Sequence, residues 1–128
     1  MEIQIGRTYT FEAAHQLPSH LGKCKWLHGH GYKLEVVIKM ALGHTISCQS
    51  SSPECGMIMD FGKLDEIMNV VLADFDHTNL NLTMQNPTAE NIAKSLSNRI
   101  SRRLPPHVKV SKIKLWETDR AYAEVVED

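Results

Sequence analysis

His30-Gly31-Tyr32-Lys33-Leu34-Glu35-Val36-Val37-Ile38-Lys39-Met40-Ala41-Leu42 decides the fold, because its side chains alternate between two chemistries. Tyr32, Leu34, Val36, Ile38, Met40 and Leu42 face one way and Lys33, Glu35 and Lys39 the other, the period of two expected for a strand with one buried face. The same reading covers Ile3 to His15, where Ile3, Ile5, Tyr9, Phe11 and Ala13 alternate with Glu2, Gln4, Thr8, Thr10 and Glu12. Provided no bulge intervenes, His15, His28 and His30 all fall on the apolar side.

Further along, the period changes. Asp60 stands at an N-cap position before Leu64, Ile67, Met68, Val71, Leu72 and Phe75, whose spacing of three and four predicts a helix. Asn86-Pro87-Thr88 marks a second helix start, with Thr88 as N-cap, Glu90 in the first turn and Ile92, Ala93, Leu96 and Ile100 as the buried row. Pro105-Pro106 ends it. Strand character then returns: Ile113, Leu115 and Glu117 share a face, and Tyr122 to Val126 makes a closing strand after a turn at Thr118-Asp119-Arg120. The order β-β-α-α-β-β predicts an α+β layer, a four-stranded antiparallel sheet with two helices on one face. Exposed sheet edges in such a layer point to assembly with further copies.

A length of 128 residues predicts one domain over 1–128, large enough to fold on its own core. The net charge is −1, and the 14 Lys and Arg are spread along the chain, which argues against a nucleic-acid or membrane-surface partner and for a small one. Apolar runs are too short to span a bilayer, and the polar N-terminal residues do not read as a signal peptide, so a cytoplasmic location is expected. Cys24, Cys48 and Cys55 form an odd set without paired-knuckle spacing, and none is expected to be bridged. Residues 43–56, rich in Ser, Gly and Pro, read as a long loop followed by the apolar piece Met57-Ile58-Met59.

The chemistry concentrates around Cys24-Lys25-Trp26-Leu27-His28-Gly29-His30. Histidines at i and i+2 project together only from an extended strand, whereas a helix would splay them. An unpartnered imidazole on a buried face is costly, and one cation shared by His15, His28 and His30 would satisfy all three. Neutral imidazoles favour zinc and would leave a coordination position for substrate or water. His20, His44 and His107 lie in loops or at element ends and read as solvated side chains.

Cys24, flanked by Lys23 and Lys25, is a candidate base or nucleophile, with a buried thiol or a fourth zinc ligand as the competing readings. Asp76-His77 places a carboxylate beside an imidazole, as proton-transfer sites require, though adjacent residues need not touch. Glu117, on an apolar face, needs donors, which an amidine-like ligand edge or a structural Arg would supply. Asp60, Thr88 and Glu90 are accounted for by helix capping.

Phe11-Glu12-Ala13-Ala14-His15, Cys24-x-x-x-His28-Gly29-His30, Met59-Asp60-Phe61, Asp76-His77, Asn86-Pro87-Thr88-Ala89-Glu90-Asn91 and Glu117-Thr118, in this order, make the chain resemble the 6-pyruvoyl-tetrahydropterin synthase family nearly end to end. Within it, the three residues between Cys24 and His28 are more similar to the bacterial 6-carboxy-tetrahydropterin synthases of queuosine biosynthesis than to the animal pyruvoyl-forming enzymes. The resemblance implies the tunnelling fold (T-fold), in which subunits join into a barrel, commonly a homohexamer of two stacked trimers with sites at subunit interfaces. It implies His15, His28 and His30 as zinc ligands, Cys24, Asp76 and His77 as the proton-transfer group, and Glu117 as anchor of the pterin ring. Thr88 and Glu90 match a motif near the substrate pocket.

The implied reaction converts 7,8-dihydroneopterin triphosphate to 6-carboxy-5,6,7,8-tetrahydropterin with release of acetaldehyde and triphosphate, Lys23 and Lys25 being the nearest candidates to meet the phosphates. Alternatives are formation of 6-pyruvoyl-tetrahydropterin or another pterin side-chain cleavage on the same site. A non-catalytic zinc- and pterin-binding module, or a zinc hydrolase needing neither Cys24 nor Glu117, are readings of a different kind. The 43–56 loop looks longer than in compact bacterial members, which bears on assembly or on the pocket rim.

Overall fold

The computed structural model describes residues 1–46 and 53–128; Cys48 and the middle of the 43–56 loop lie outside the described residues. Strands β1 (Gln4–His15) and β2 (His28–Met40) come first, then helix α1 (Phe61–Leu72), a short β3 (Thr78–Asn79), helix α2 (Ala89–Ser101), β4 (Val108–Thr118) and β5 (Ala121–Val126). Both alternating stretches are strands. They pair antiparallel without a register shift, from Gln4 opposite Lys39 to His15 opposite His28.

The sheet differs from the expected four antiparallel strands: it has five, in the order β3-β1-β2-β4-β5, and it is mixed, because Thr78 and Asn79 run parallel to Ala13 and Ala14. Two residues are too few to show a period, and the parallel direction follows from the chain returning beside β1 after α1. Two irregularities reset side-chain parity in β4. The pairing steps from Lys112–Val37 to Val110–Ile38, leaving Ser111 as the extra residue, so Val108 and Val110 join Ile113 and Leu115 on the buried face. A second shift, between Trp116 and Thr118 against β5, falls at Glu117.

Both helices cover one sheet face. Phe11, Tyr32, Leu34, Val36, Ile38, Ile113 and Leu115 from the strands meet Leu64, Met68, Ile92, Leu96 and Ile100 from the helices in one core. Phe11 stacks on its cross-strand partner Tyr32 with ring centroids 4.9 Å apart, and Phe75 meets Phe11 edge-on at 5.9 Å. Asp65 of α1 accepts from Tyr9 Oη at 2.7 Å and pairs with Arg7 Nε at 2.9 Å, which ties that helix to β1.

At the helix starts, Thr88 caps α2 through Asn91 N–H. Asp60 holds the N-cap position of α1 without a side-chain cap bond. Cys24 and Cys55 are free thiols. No helix among the described residues is long and apolar enough to cross a membrane.

Leu96, wholly buried between α2 and the sheet, tests this packing. Leu96→Ala should lower the free energy of unfolding by about 2–5 kcal/mol, read from urea titration, with an unchanged m-value. A loss below about 1 kcal/mol would mean that α2 is not seated as described.

Candidate metal centre and catalytic groups

The uninterrupted β1–β2 ladder delivers His15 and His28 as a directly opposed cross-strand pair, with His30 opposite Ala13 on the same face. Ring centroids are 4.5 Å apart for His15 and His28, 5.0 Å for His15 and His30, and 4.7 Å for His28 and His30. His15 is fully buried.

Backbone carbonyls fix which nitrogen of each opposed ring faces inward. His15 Nδ1 lies 2.7 Å from the Pro87 carbonyl and His28 Nδ1 lies 2.7 Å from the Trp26 carbonyl. A carbonyl only accepts, so Nδ1 carries the hydrogen in both rings and each Nε2 presents a lone pair. Those two Nε2 atoms are 3.0 Å apart, so two acceptors face each other, an arrangement that only a proton or a metal ion between them makes favourable.

His30 Nε2 is buried without a hydrogen-bond partner, although Glu117 Oε1 lies 2.9 Å from it. One donor atom from each of His15, His28, His30 and Glu117 lies within 4.8 Å of all the others, a group that could hold a metal ion. Tetrahedral zinc–nitrogen bonds would set neighbouring nitrogens about 3.3 Å apart, so this donor set fits such an ion with small adjustments.

Glu117 brings negative charge to the group. The Glu117 carboxylate raises the proton affinity of His15, while burial pushes His30 below its ordinary value. Glu117 itself is held below the usual carboxylate range, chiefly by His15. Its Oε1 is also 3.4 Å from His15 Nε2, so the carboxylate closes the open side of the histidine set.

Asp76 and His77 form a second, separate group. Asp76 Oδ2 pairs with His77 Nδ1 at 3.0 Å, and its Oδ1 accepts from Glu12 N–H at 2.9 Å. That N–H, with His77 next in importance, holds the Asp76 carboxyl below its ordinary value. His77 N–H donates in turn to the Glu12 carbonyl, so the dipeptide is pinned to β1 close to His15. His77 has φ of 57°, in the left-handed region that a non-glycine residue adopts at a cost. Its side chain is 78% exposed and borders an open cleft of about 420 Å³ that Glu12, His30 and Asn79 also line.

Cys24 sits half-buried in the short 3₁₀ turn Lys23–Lys25, in a loop closed by Leu17 N–H on the Cys24 carbonyl at 2.7 Å. Among the described residues no hydrogen bond or ion pair joins it to Asp76 or His77 within one chain. Thr88 serves as a helix cap, and Glu90 is exposed in the first turn of α2. His20, which accepts from Gly22 N–H, and the neighbouring pair His44 and His107 lie outside the centre.

Sequence reasoning missed the groups around the histidines: the Pro87 and Trp26 carbonyls, the Tyr32 hydroxyl 3.4 Å from His15 Nδ1, and Asn81, whose amide brackets the backbone of Gln16 at 2.8 and 2.9 Å. A carbonyl carries no side-chain signature. Tyr32, on the same parity as the histidines, was the one visible signal.

The 6-pyruvoyl tetrahydropterin synthase family matches residues 4–128. A putative 6-carboxy-5,6,7,8-tetrahydropterin synthase of Archaeoglobus fulgidus is 36% identical, covering 97% of this chain and 96% of its own length. A dihydroneopterin monophosphate aldolase of Pyrococcus furiosus is 38% identical over 91% of each chain. A 6-carboxy-5,6,7,8-tetrahydropterin synthase of Rickettsia bellii is 32% identical over 96% of this chain and 99% of its own. The structure of Caenorhabditis elegans 6-pyruvoyl tetrahydropterin synthase superposes with a TM-score of 0.78 at 24% identity, covering 98% of this chain and 96% of that one, and so shares the fold. With the histidine group, the match over residues 4–128 and these relatives together, the chain belongs to the 6-pyruvoyl tetrahydropterin synthase family and is an enzyme of the lyase class.

Proposed function

We propose that this chain is a zinc-dependent 6-carboxy-5,6,7,8-tetrahydropterin synthase of queuosine biosynthesis, converting 7,8-dihydroneopterin triphosphate to the 6-carboxy product, acetaldehyde and triphosphate. The observation that carries the reading is the convergence of the His15 and His28 Nε2 lone pairs beside His30, with Cys24 four residues upstream of His28. Relatives named for this activity, similar over nearly the whole chain, support the choice of product.

His15, His28 and His30 would hold the zinc, which when bound polarises side-chain oxygens of the substrate and stabilises developing negative charge. Cys24, between two lysines, moves protons at the pterin side chain. His77 is the partner acid or base, and Asp76 fixes its Nδ1 and stabilises its protonated form. Glu117 accepts from the amino-pyrimidine edge of the pterin, which requires it to turn from His30 once a cation satisfies that ring. Thr88 and Glu90 border the substrate pocket, and Lys23 and Lys25 meet the triphosphate.

Assembly completes the site in this reading. Asp76 and His77 are exposed and unconnected to Cys24 in one chain, which suits a centre shared between neighbours. Among the described residues, no strand pairs with the outer edge of β1 between Gln4 and Phe11, or with the outer edge of β5 at the opposite side of the sheet. Head-to-tail joining of these edges gives a closed ring, and a hexamer of two trimers is the proposed state. A cytoplasmic location and a single domain over 1–128 belong to the same proposal.

The archaeal aldolase relative favours a second reading, retro-aldol cleavage of a dihydroneopterin phosphate side chain on the same residues. Incubating the zinc-loaded protein with 7,8-dihydroneopterin triphosphate and, separately, the monophosphate, followed by mass analysis of the pterin and an acetaldehyde assay, separates the two. A 6-carboxy product with acetaldehyde from the triphosphate is expected. A pyruvoyl product, or turnover of the monophosphate alone, would reassign the enzyme.

Cys24→Ala should retain zinc while losing about 10²–10⁴-fold in kcat. Loss of zinc from that variant would make Cys24 a ligand instead. His28→Ala should lose bound zinc by elemental analysis, whereas Glu117→Gln should keep it and raise KM. Zinc loss in Glu117→Gln would show the carboxylate to be a fourth ligand.

A further inference from the structure

The turn that opens α2 leaves one carbonyl free for His15. A continuing helix would direct Asn91 N–H to the Pro87 carbonyl four residues back, but Thr88 Oγ1 takes that N–H at 3.1 Å. Ile92 N–H goes to the Thr88 carbonyl at 2.9 Å. Pro87 O therefore stands outside the helix ladder and accepts from His15 Nδ1.

The upstream carbonyl, Asn86 O, receives two donors: Thr88 N–H at 2.9 Å and Asn91 Nδ2 at 2.8 Å. The first closes a three-residue turn centred on Pro87, whose fixed φ suits that position. The second ties the turn to the first turn of the helix. Asn91 thus contributes both its backbone and its side-chain N–H to holding residues 86–88.

We propose that Asn91 is a positioning residue of the metal centre: by holding Asn86-Pro87-Thr88 it keeps the Pro87 carbonyl on His15 Nδ1, and so keeps His15 Nε2 unprotonated and turned toward the cation. The inference rests on the metal-site reading of His15, His28 and His30. Its force comes from burial, because His15 is shielded from water that could replace a lost partner. The other group near Nδ1 is the Tyr32 hydroxyl at 3.4 Å. A hydroxyl can turn its own proton onto Nδ1, which would leave the hydrogen on Nε2 and remove the ligand lone pair. Partners that fix a ligand's tautomer are worth about 10–100-fold in metal affinity.

Asn91→Asp isolates this role. It keeps the backbone N–H that Thr88 caps and places a carboxylate in the first turn, where the helix dipole favours it. It has no proton for Asn86 O, and it competes for Thr88 N–H as a capping-box acceptor. Co²⁺ affinity of the full chain, read from visible absorption in competition with a chelator, is measured alongside thermal unfolding of the metal-free protein.

The expected result is a melting temperature close to that of the parent with Co²⁺ bound about tenfold or more weakly. Asn91→Ala, which deletes the bond without adding charge, should weaken binding in the same direction. Asn98→Asp, at an exposed position later in α2, adds the same charge and should stay within about threefold of the parent. Affinities within about threefold in both Asn91 variants, or an equal loss in Asn98→Asp, would overturn the inference. Absence of Co²⁺ binding by the parent chain is a separate outcome, and it would remove the metal-site reading as well.

Discussion

The unbroken antiparallel ladder between β1 and β2 is the constraint on which the rest depends. Because strand side chains alternate faces, a slip of one residue anywhere between Gln4–Lys39 and His15–His28 would send the histidines to the outer face together with the core residues. The register is held by Phe11 stacked on Tyr32 and by Leu34, Val36 and Ile38 beneath the helices. The histidine group is therefore the polar end of the same row that makes the core. Stability and site geometry share one alternation.

Position in the fold separates two kinds of group. In the histidine group His15 is buried, and His15 and His28 are oriented from behind by backbone carbonyls, which suits a centre that must present lone pairs at fixed directions. Asp76 and His77 are exposed, held by a short parallel return beside β1 and by two bonds to Glu12. That arrangement fixes the backbone of the pair and leaves the His77 ring open toward a cleft. The histidine group turns its nitrogens inward, while the Asp76–His77 pair faces outward beside it.

Much of this was legible in the sequence wherever a period was long enough to read. The two long strands, both helix faces, the Thr88 cap and the shared parity of His15, His28 and His30 follow from alternation and capping chemistry over many residues. β3 was not legible, because two residues carry no period and their pairing partner is set by the return after α1. Nor were the β4 irregularities, which let Val110 and Ile113 face the same core despite their spacing of three. Glu117 was placed correctly on the inner side, but its contact with His15 and His30 depends on where β4 ends relative to β2, a long-range property that no local spacing encodes.

His77 adds a consequence for how this sequence can drift. A left-handed backbone there costs most residues with a Cβ roughly 1 kcal/mol or more; glycine avoids the cost, and asparagine lowers it through local hydrogen bonding of its short side chain. Its main-chain bond to Glu12 would survive such a change, and little of its side chain is buried, so folding alone exerts a pull away from histidine. An imidazole there does offer its ring to the Asp76 carboxylate, a contact that glycine would lose. Among descendants of this protein freed from turnover, position 77 should be among the first to slide toward glycine or asparagine, while His15, enclosed by the core, should change late.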